Sequence, residues 1–182
     1  MLHFPPIPTW EAMHPLIVHF PIALLLLSPL FILIGAVLSP SRGQPYRITG
    51  LIILLLGTAS LFVAVWTGEA AGELAERGGP VDAVLAAHES LASQTRILFL
   101  VLTVILLGMT LLPKALRRQE TRLSSTFMPL AFLVLYSVGA LFLVNTAHAG
   151  GRLVHEFGIH SMMPAESAPT TEDASAAGER DH

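Results

Sequence analysis

The sequence contains no cysteine among its 182 residues. This absence excludes disulfide bonds, iron–sulfur ligation and covalent c-type haem attachment through a C-x-x-C-H motif. Any cofactor must therefore be held by histidine, methionine or carboxylate side chains. Charged residues are also scarce, at 13% of the chain, against about a quarter in soluble domains. The net charge of -3 is too small to indicate a nucleic-acid partner.

Apolar residues, by contrast, make up 53% of the chain. Four apolar runs are each long enough to cross a bilayer core, which takes about 20 helical residues; they cover residues 16–38, 48–67, 91–112 and 127–149. Short links after the first and third runs favour antiparallel neighbours. The sequence therefore predicts an all-α, up-down-up-down four-helix bundle embedded in the lipid bilayer.

The distribution of basic residues predicts the orientation of this bundle. The segment before the first run has no Lys or Arg, whereas the two short links contain Arg42, Arg47, Lys114, Arg117, Arg118 and Arg122. The positive-inside rule then places both links in the cytoplasm and both termini on the periplasmic side of a bacterial inner membrane. Because no basic n-region precedes the first run, we expect that run to be retained rather than cleaved as a signal peptide.

Proline, glycine and small residues predict local features. Pro21 and Pro29 are expected to free backbone carbonyls and to kink the first helix. Small residues recur every seven positions in the second run, which indicates either close helix packing or a surface for a flat cofactor; they are Gly50, Gly57, Ala64 and Ala71. We expect helix breaks at Gly78-Gly79-Pro80 and at Gly150-Gly151.

The bundle domain is expected to cover residues 1–160. Residues 161–182 are rich in Ala, Ser, Glu, Thr and Pro and have no apolar period, so we expect a disordered tail.

Histidines are concentrated at the end of the bundle predicted to face the periplasm. His14 and His19 begin the first run, His88 precedes the third, and His148 ends the fourth, followed by His155 and His160. Burying an imidazole in hydrocarbon is costly unless something binds it. Since three separate helices bring imidazoles to one layer, this histidine layer is the strongest functional signal in the chain.

Haem b bound between two histidines is the cofactor that best suits this layer, because facing helices of a bundle can supply both axial ligands. His19 and His88 are the first-choice axial pair, since they come from the first and third helices, and His14 and His148 would ligate a second haem. Arg96 and Arg152 are at the level where haem propionates need cationic partners.

Two alternatives remain open. A divalent ion such as zinc, copper or nickel could bind the imidazoles with Glu89 or Glu156, although adjacent residues on a helix face about 100° apart. Alternatively, the histidines only hydrogen-bond to carbonyls freed by Pro21 or to Glu69 and Glu73, in a structural subunit without a cofactor. Few ionisable groups lie deep in the runs, which disfavours a metal permease.

No motif indicates hydrolytic or group-transfer catalysis. We therefore expect an electron-transfer component that is not an enzyme on its own and that works with a membrane redox complex or a periplasmic cytochrome.

Four separated motifs stand out along the chain: "HPLIVHFPIAL" at 14–24, "WTGEAAG" at 66–72, "AHESLA" at 87–92 and "AHAGGRLVHEFGI" at 147–159. In this order they resemble a bacterial integral-membrane family, the domain of unknown function 2231. The resemblance covers the chain except its tail, and implies a layout similar to four-helix b-type cytochromes with His14, His19, His88 and His148 in the characteristic motifs. Where this chain has His155, the family pattern has a tyrosine, so His155 is left out of the site. The resemblance implies no established activity.

Overall fold

The computed structural model describes residues 7–74, 78–116 and 121–159, apart from the side chain of Lys114. Over these residues the chain is helical and forms no strand. The elements are a 3-10 turn (Glu11–Met13), α1 (His14–Ile17), α2 (His19–Val37), α3 (Pro40–Glu73), α4 (Pro80–Ala115), a π-helical turn (Leu123–Phe127) and α5 (Met128–His155).

Four helical segments are long and apolar enough to cross a membrane. We call them span 1 (Glu11–Val37), span 2 (Pro40–Glu73), span 3 (Pro80–Pro113) and span 4 (Leu123–His155). The helices of spans 1 and 3 each pack against spans 2 and 4, whereas α2 does not contact α4 and α3 does not contact α5. The predicted all-α four-helix membrane bundle is thus confirmed, with spans 1 and 3 on one diagonal.

The interior of the bundle is filled by large apolar side chains from all four spans. The fully buried ones include Leu25, Ile32, Leu54, Phe99, Leu102 and Tyr136. Many other leucines, valines and phenylalanines are exposed on the outside of the same helices, for example Leu30, Leu56, Val104 and Val134. Such an apolar exterior is the surface that a protein presents to lipid tails.

The two prolines of span 1 act differently. Pro21 has no N–H for the carbonyl of Ile17, and the first span is interrupted at Val18, between α1 and α2. At Pro29, α2 is continuous. Pro29 has no N–H to donate to the Leu25 carbonyl, and the hydroxyl of Tyr136 donates a hydrogen bond of 2.6 Å to that carbonyl instead. Tyr136 therefore ties span 4 to span 1 at the proline.

Glycines of span 2 allow span 1 to pack closely against it, as the seven-residue spacing predicted. A Cβ atom at Gly50 would lie 2.7 Å from Ile32 Cγ1, and one at Gly57 would lie 2.7 Å from Leu25 Cδ2. The surface considered for a flat cofactor is thus covered by span 1 at Gly50 and Gly57.

One expected break is present and the other is absent. Helix α3 ends at Glu73, and α4 begins at Pro80, directly after Gly79, which has a positive φ of 61°. The break expected at Gly150-Gly151 is wrong, because α5 continues to His155. Gly150 is instead used for packing against a side chain of span 3. The predicted disordered tail, residues 161–182, lies outside the described residues.

Candidate functional site

His14 opens α1 and reaches across to span 2. Its Nδ1 atom lies 2.9 Å from the carbonyl oxygen of Ala64 and 3.3 Å from the hydroxyl of Thr67. The ring also packs against Gly68, where a Cβ would lie only 2.8 Å from His14 Cε1. Because real Cβ atoms do not come so close, any side chain at Gly68 would displace the imidazole.

His88 repeats these contacts between spans 3 and 4. Its Nδ1 atom lies 3.0 Å from the carbonyl oxygen of Thr146, and a Cβ at Gly150 would lie 3.0 Å from His88 Cε1. The side chain of His88 is half-buried. Each imidazole is therefore held by a carbonyl and, one helical turn further on, by a glycine.

These hydrogen bonds define the protonation of both rings. A carbonyl oxygen can only accept, so Nδ1 must carry the hydrogen in each case, and in a neutral imidazole Nε2 then keeps its lone pair. Among the described residues, no polar atom bonds to Nε2 of His14 or of His88. Both nitrogens are thus available as metal ligands or acceptors.

The two imidazoles occupy the same end of the bundle on diagonally opposed spans. Neighbouring helices pack about 8–10 Å apart, so the axes on the diagonal of a square bundle are about 11–14 Å apart. His14 and His88 therefore lie on opposite sides of the bundle at one of its ends.

The layer next to these histidines, toward the bundle centre, contains hydroxyl groups. Thr67 is fully buried and donates to the carbonyls of its own helix, at 3.1 Å from Val63 and 3.0 Å from Ala64. Thr95 and Thr146 hydrogen-bond to each other at 2.8 Å between spans 3 and 4. None of these threonines was among the residues predicted from sequence, because a buried threonine in a membrane helix gives no distinctive signal.

The other two predicted ligands, His19 and His148, are exposed. His155, which was left out of the predicted site, is also exposed, and His160 lies outside the described residues. His19 and His148 stay predicted ligands, but the contacts seen in the structure bring together His14 and His88.

The two predicted arginines have other partners. The Arg96 guanidinium lies 5.6 Å from the centre of the Phe62 ring, a cation–π distance. Arg152 pairs with Glu156 at 2.9 Å on the surface of span 4, and its guanidinium holds the pKa of the Glu156 carboxyl below its usual range. Their role toward haem propionates stays a prediction.

No group of three or more His, Asp or Glu side chains in the described part of the chain could hold a metal ion. Glu89, the carboxylate considered beside His88, extends toward span 2, with Oε1 3.1 Å from the Cβ position of Gly72.

Comparison with known proteins gives one family and no individual relative. The family model described as predicted membrane protein (DUF2231) matches residues 11–163. No curated protein and no solved structure matches this chain.

Proposed function

The chain belongs to the DUF2231 family of predicted membrane proteins, and we propose that it binds haem b at its histidine end and transfers electrons in the membrane. His14 and His88 are the proposed axial ligands. This pair differs from the first-choice pair suggested by the sequence, His19 and His88, because the contacts of His14 match those of His88.

The observation that carries the proposal is the fixed orientation of two imidazoles on opposite helices. Histidines that ligate metals almost always donate their second ring N–H to a carboxylate, a backbone carbonyl or water, which fixes the tautomer and raises the basicity of the ligand. His14 and His88 each donate to a carbonyl in this way. Their Nε2 atoms are then the ligating atoms.

The number of ligands favours haem over a free divalent ion. Structural and catalytic zinc sites use three or four protein ligands, and no such group exists among residues 7–74, 78–116 and 121–159. Haem iron already has four porphyrin nitrogens and needs only two axial ligands. A pair of imidazoles on the diagonal of a bundle therefore fits a metalloporphyrin on the basis of its donor set.

When bound, the haem would supply a reversible one-electron couple, and the residues of this chain would hold it and exclude water. His14 and His88 would hold the haem, and the absence of side chains at Gly68 and Gly150 lets the two imidazoles pack against the neighbouring helices. The apolar interior would raise the cost of net charge at the iron. The partner would be a membrane redox complex or a periplasmic cytochrome, on the side of the membrane where the sequence places the histidines.

The test is the visible spectrum of the purified protein, reduced by dithionite minus oxidised, with iron analysis. We expect a sharp b-type α band. His14→Gly and His88→Gly should each lose the low-spin signal, and added imidazole should restore it by filling the vacated ligand position. His19→Ala and His148→Ala are matched controls that should keep the full signal.

Other results would overturn the assignment or the function. Loss of the signal in His19→Ala, with His14→Gly unaffected, would show that the pair suggested by the sequence binds the iron. A colourless protein after expression with ample haem would exclude the haem function. Stoichiometric zinc, copper or nickel in that sample would then support a metal site, and an empty sample a structural subunit.

A further inference from the structure

Spans 1 and 2 form a helix hairpin, and spans 3 and 4 form a second hairpin with the same pattern. His14 of span 1 corresponds to His88 of span 3 in its contacts with the neighbouring helix. With these two residues aligned, the buried positions Pro21, Leu25, Ser28 and Ile32 coincide with the buried positions Thr95, Phe99, Leu102 and Leu106. The helix face that is buried is therefore the same in both spans.

Spans 2 and 4 correspond in the same way. Ala64 and Thr146 provide the carbonyls that bind the histidines, and with them aligned Gly68 coincides with Gly150 and Gly57 with Gly139. The contacts also repeat. A Cβ at Gly57 would lie 2.7 Å from Leu25, and one at Gly139 would lie 2.8 Å from Leu102 and 3.4 Å from Phe99.

The aligned hairpins share the histidine, two glycines and several leucines, among them the buried pair Leu61 and Leu143. Leu25 corresponds to Phe99 and Thr67 to Ala149, so other core residues differ in size or polarity while their burial agrees. The histidine and the glycine against which its ring packs are therefore among the positions that the two hairpins have in common.

We propose that the chain is an internal duplication with a pseudo-two-fold axis along the bundle, and that its histidine end is one site made of two equivalent half-sites. One half-site is His14, the Ala64 carbonyl and Gly68; the other is His88, the Thr146 carbonyl and Gly150. Parallel repeats of this type, related by an axis along the membrane normal, are known in transporters. The ligand lies on the axis between the half-sites, so each chain binds one, with two equivalent coordinating positions.

This inference takes its ligand, a single metalloporphyrin, from the proposed function, but the equivalence of the half-sites can be tested without haem. Imidazole nitrogens can be observed by NMR in detergent-solubilised full-length protein labelled with ¹⁵N-histidine and prepared without haem. We expect His14 and His88, assigned by His14→Gln and His88→Gln, to be neutral with the hydrogen on Nδ1. Gly68→Ala should shift only the His14 signals and Gly150→Ala only those of His88, whereas Gly108→Ala, which meets no atom within 4 Å, should shift neither.

The haem-loaded protein gives the second measurement. We expect one iron per chain, two imidazoles on the iron by pulsed EPR, and one imidazole in each of His14→Met and His88→Met. Two irons per chain, or loss of an imidazole in only one of these variants, would overturn the shared site.

The NMR result separates the two proposals. Nδ1–H tautomers with paired glycine effects in a protein that never binds haem would support the duplication and leave the haem function refuted. If His14 and His88 have different tautomers, or only one responds to its glycine, the half-sites are not equivalent, whatever the haem content.

Discussion

Tyr136 lies at the centre of the bundle and compensates for a proline on another helix. Its side chain is 1% exposed. The ring forms edge-to-face contacts with Phe99 and Phe132, with ring centroids 5.5 and 5.9 Å apart. Its hydroxyl donates a hydrogen bond to the Leu25 carbonyl. Without this hydroxyl, Leu25 would have an unsatisfied carbonyl in a region without water, where such groups are costly.

Tyr136→Phe should therefore lower the free energy of unfolding by about 1–2 kcal/mol, the range for a buried hydrogen bond within a membrane bundle. The measurement is equilibrium unfolding in mixed detergent micelles. Tyr46→Phe is the matched control, since this phenol is 39% exposed. In the Tyr136→Phe background, Pro29→Ala should recover stability because it restores the missing N–H. Equal losses for the two tyrosine variants would contradict the role of Tyr136.

At this scale, the sequence indicates the histidines but not their partners. The groups that orient His14 and His88 are backbone carbonyls, which every residue has, so nothing distinguishes Ala64 or Thr146 in the sequence. The sequence also could not show which of the two histidines of span 1, His14 or His19, packs into the bundle. Pro21 predicted a distortion of the helix near both residues. That the His14 ring is the one packed inside depends on its contact with Gly68 of span 2, which only the tertiary structure shows.

Each of the four helix interfaces contains one buried hydrogen bond from a hydroxyl group. Ser28 donates to the Gly50 carbonyl at 2.9 Å and Tyr136 to that of Leu25 at 2.6 Å; Thr58 and Thr103 are 2.8 Å apart, as are Thr95 and Thr146. Because lipid tails solvate apolar side chains well, such bonds and close packing determine which helices associate in a membrane. Together these four hydrogen bonds connect each span to both of its neighbours.

Gly57 allows spans 1 and 2 to approach closely. We expect this packing effect to outweigh the low helix propensity of glycine when Gly57 is replaced. Gly57→Leu places a side chain where Leu25 already lies, and we expect a loss of about 1–3 kcal/mol in the free energy of unfolding, typical of overpacking. Gly108→Leu is the control, because nothing lies within 4 Å of its Cβ position; it should be neutral or slightly stabilising, since leucine favours helix. If both variants lost stability equally, the packing interpretation would fail.

Helix number and order could be predicted from the lengths of the apolar runs, because each run had to be long enough to cross the bilayer. Helix ends could not. The predicted 48–67 run is part of a helix that spans Pro40–Glu73, since polar turns outside the bilayer remain helical when they pack on neighbours. The expected break at Gly150-Gly151 failed for a related reason: the glycine allows His88 to approach, and the helix hydrogen bonds continue through it.

Over the whole molecule, charge is distributed unequally between the two ends. Acidic residues outnumber basic ones in the described part of the histidine end: Glu11, Glu69, Glu73, Asp82, Glu89 and Glu156 against Arg96 and Arg152. The opposite end contains Arg42, Arg47 and Arg122. Positively charged links stay in the cytoplasm during insertion. The side of the membrane occupied by the histidine end decides which redox partners can reach a haem there.

The absence of cysteine allows this orientation to be measured with single-cysteine variants of the full chain. Ala83 is exposed at the histidine end and Ser41 at the opposite end. A membrane-impermeant maleimide applied to intact bacterial cells with a permeabilised outer membrane should label Ala83→Cys, and should label Ser41→Cys only after lysis. The reverse pattern would put the histidine end in the cytoplasm and exclude a periplasmic cytochrome as direct partner. The expected pattern would place the site within reach of a soluble carrier outside the membrane, because His14 opens α1 and His88 lies in the third turn of α4, nearer the end of each span than its middle.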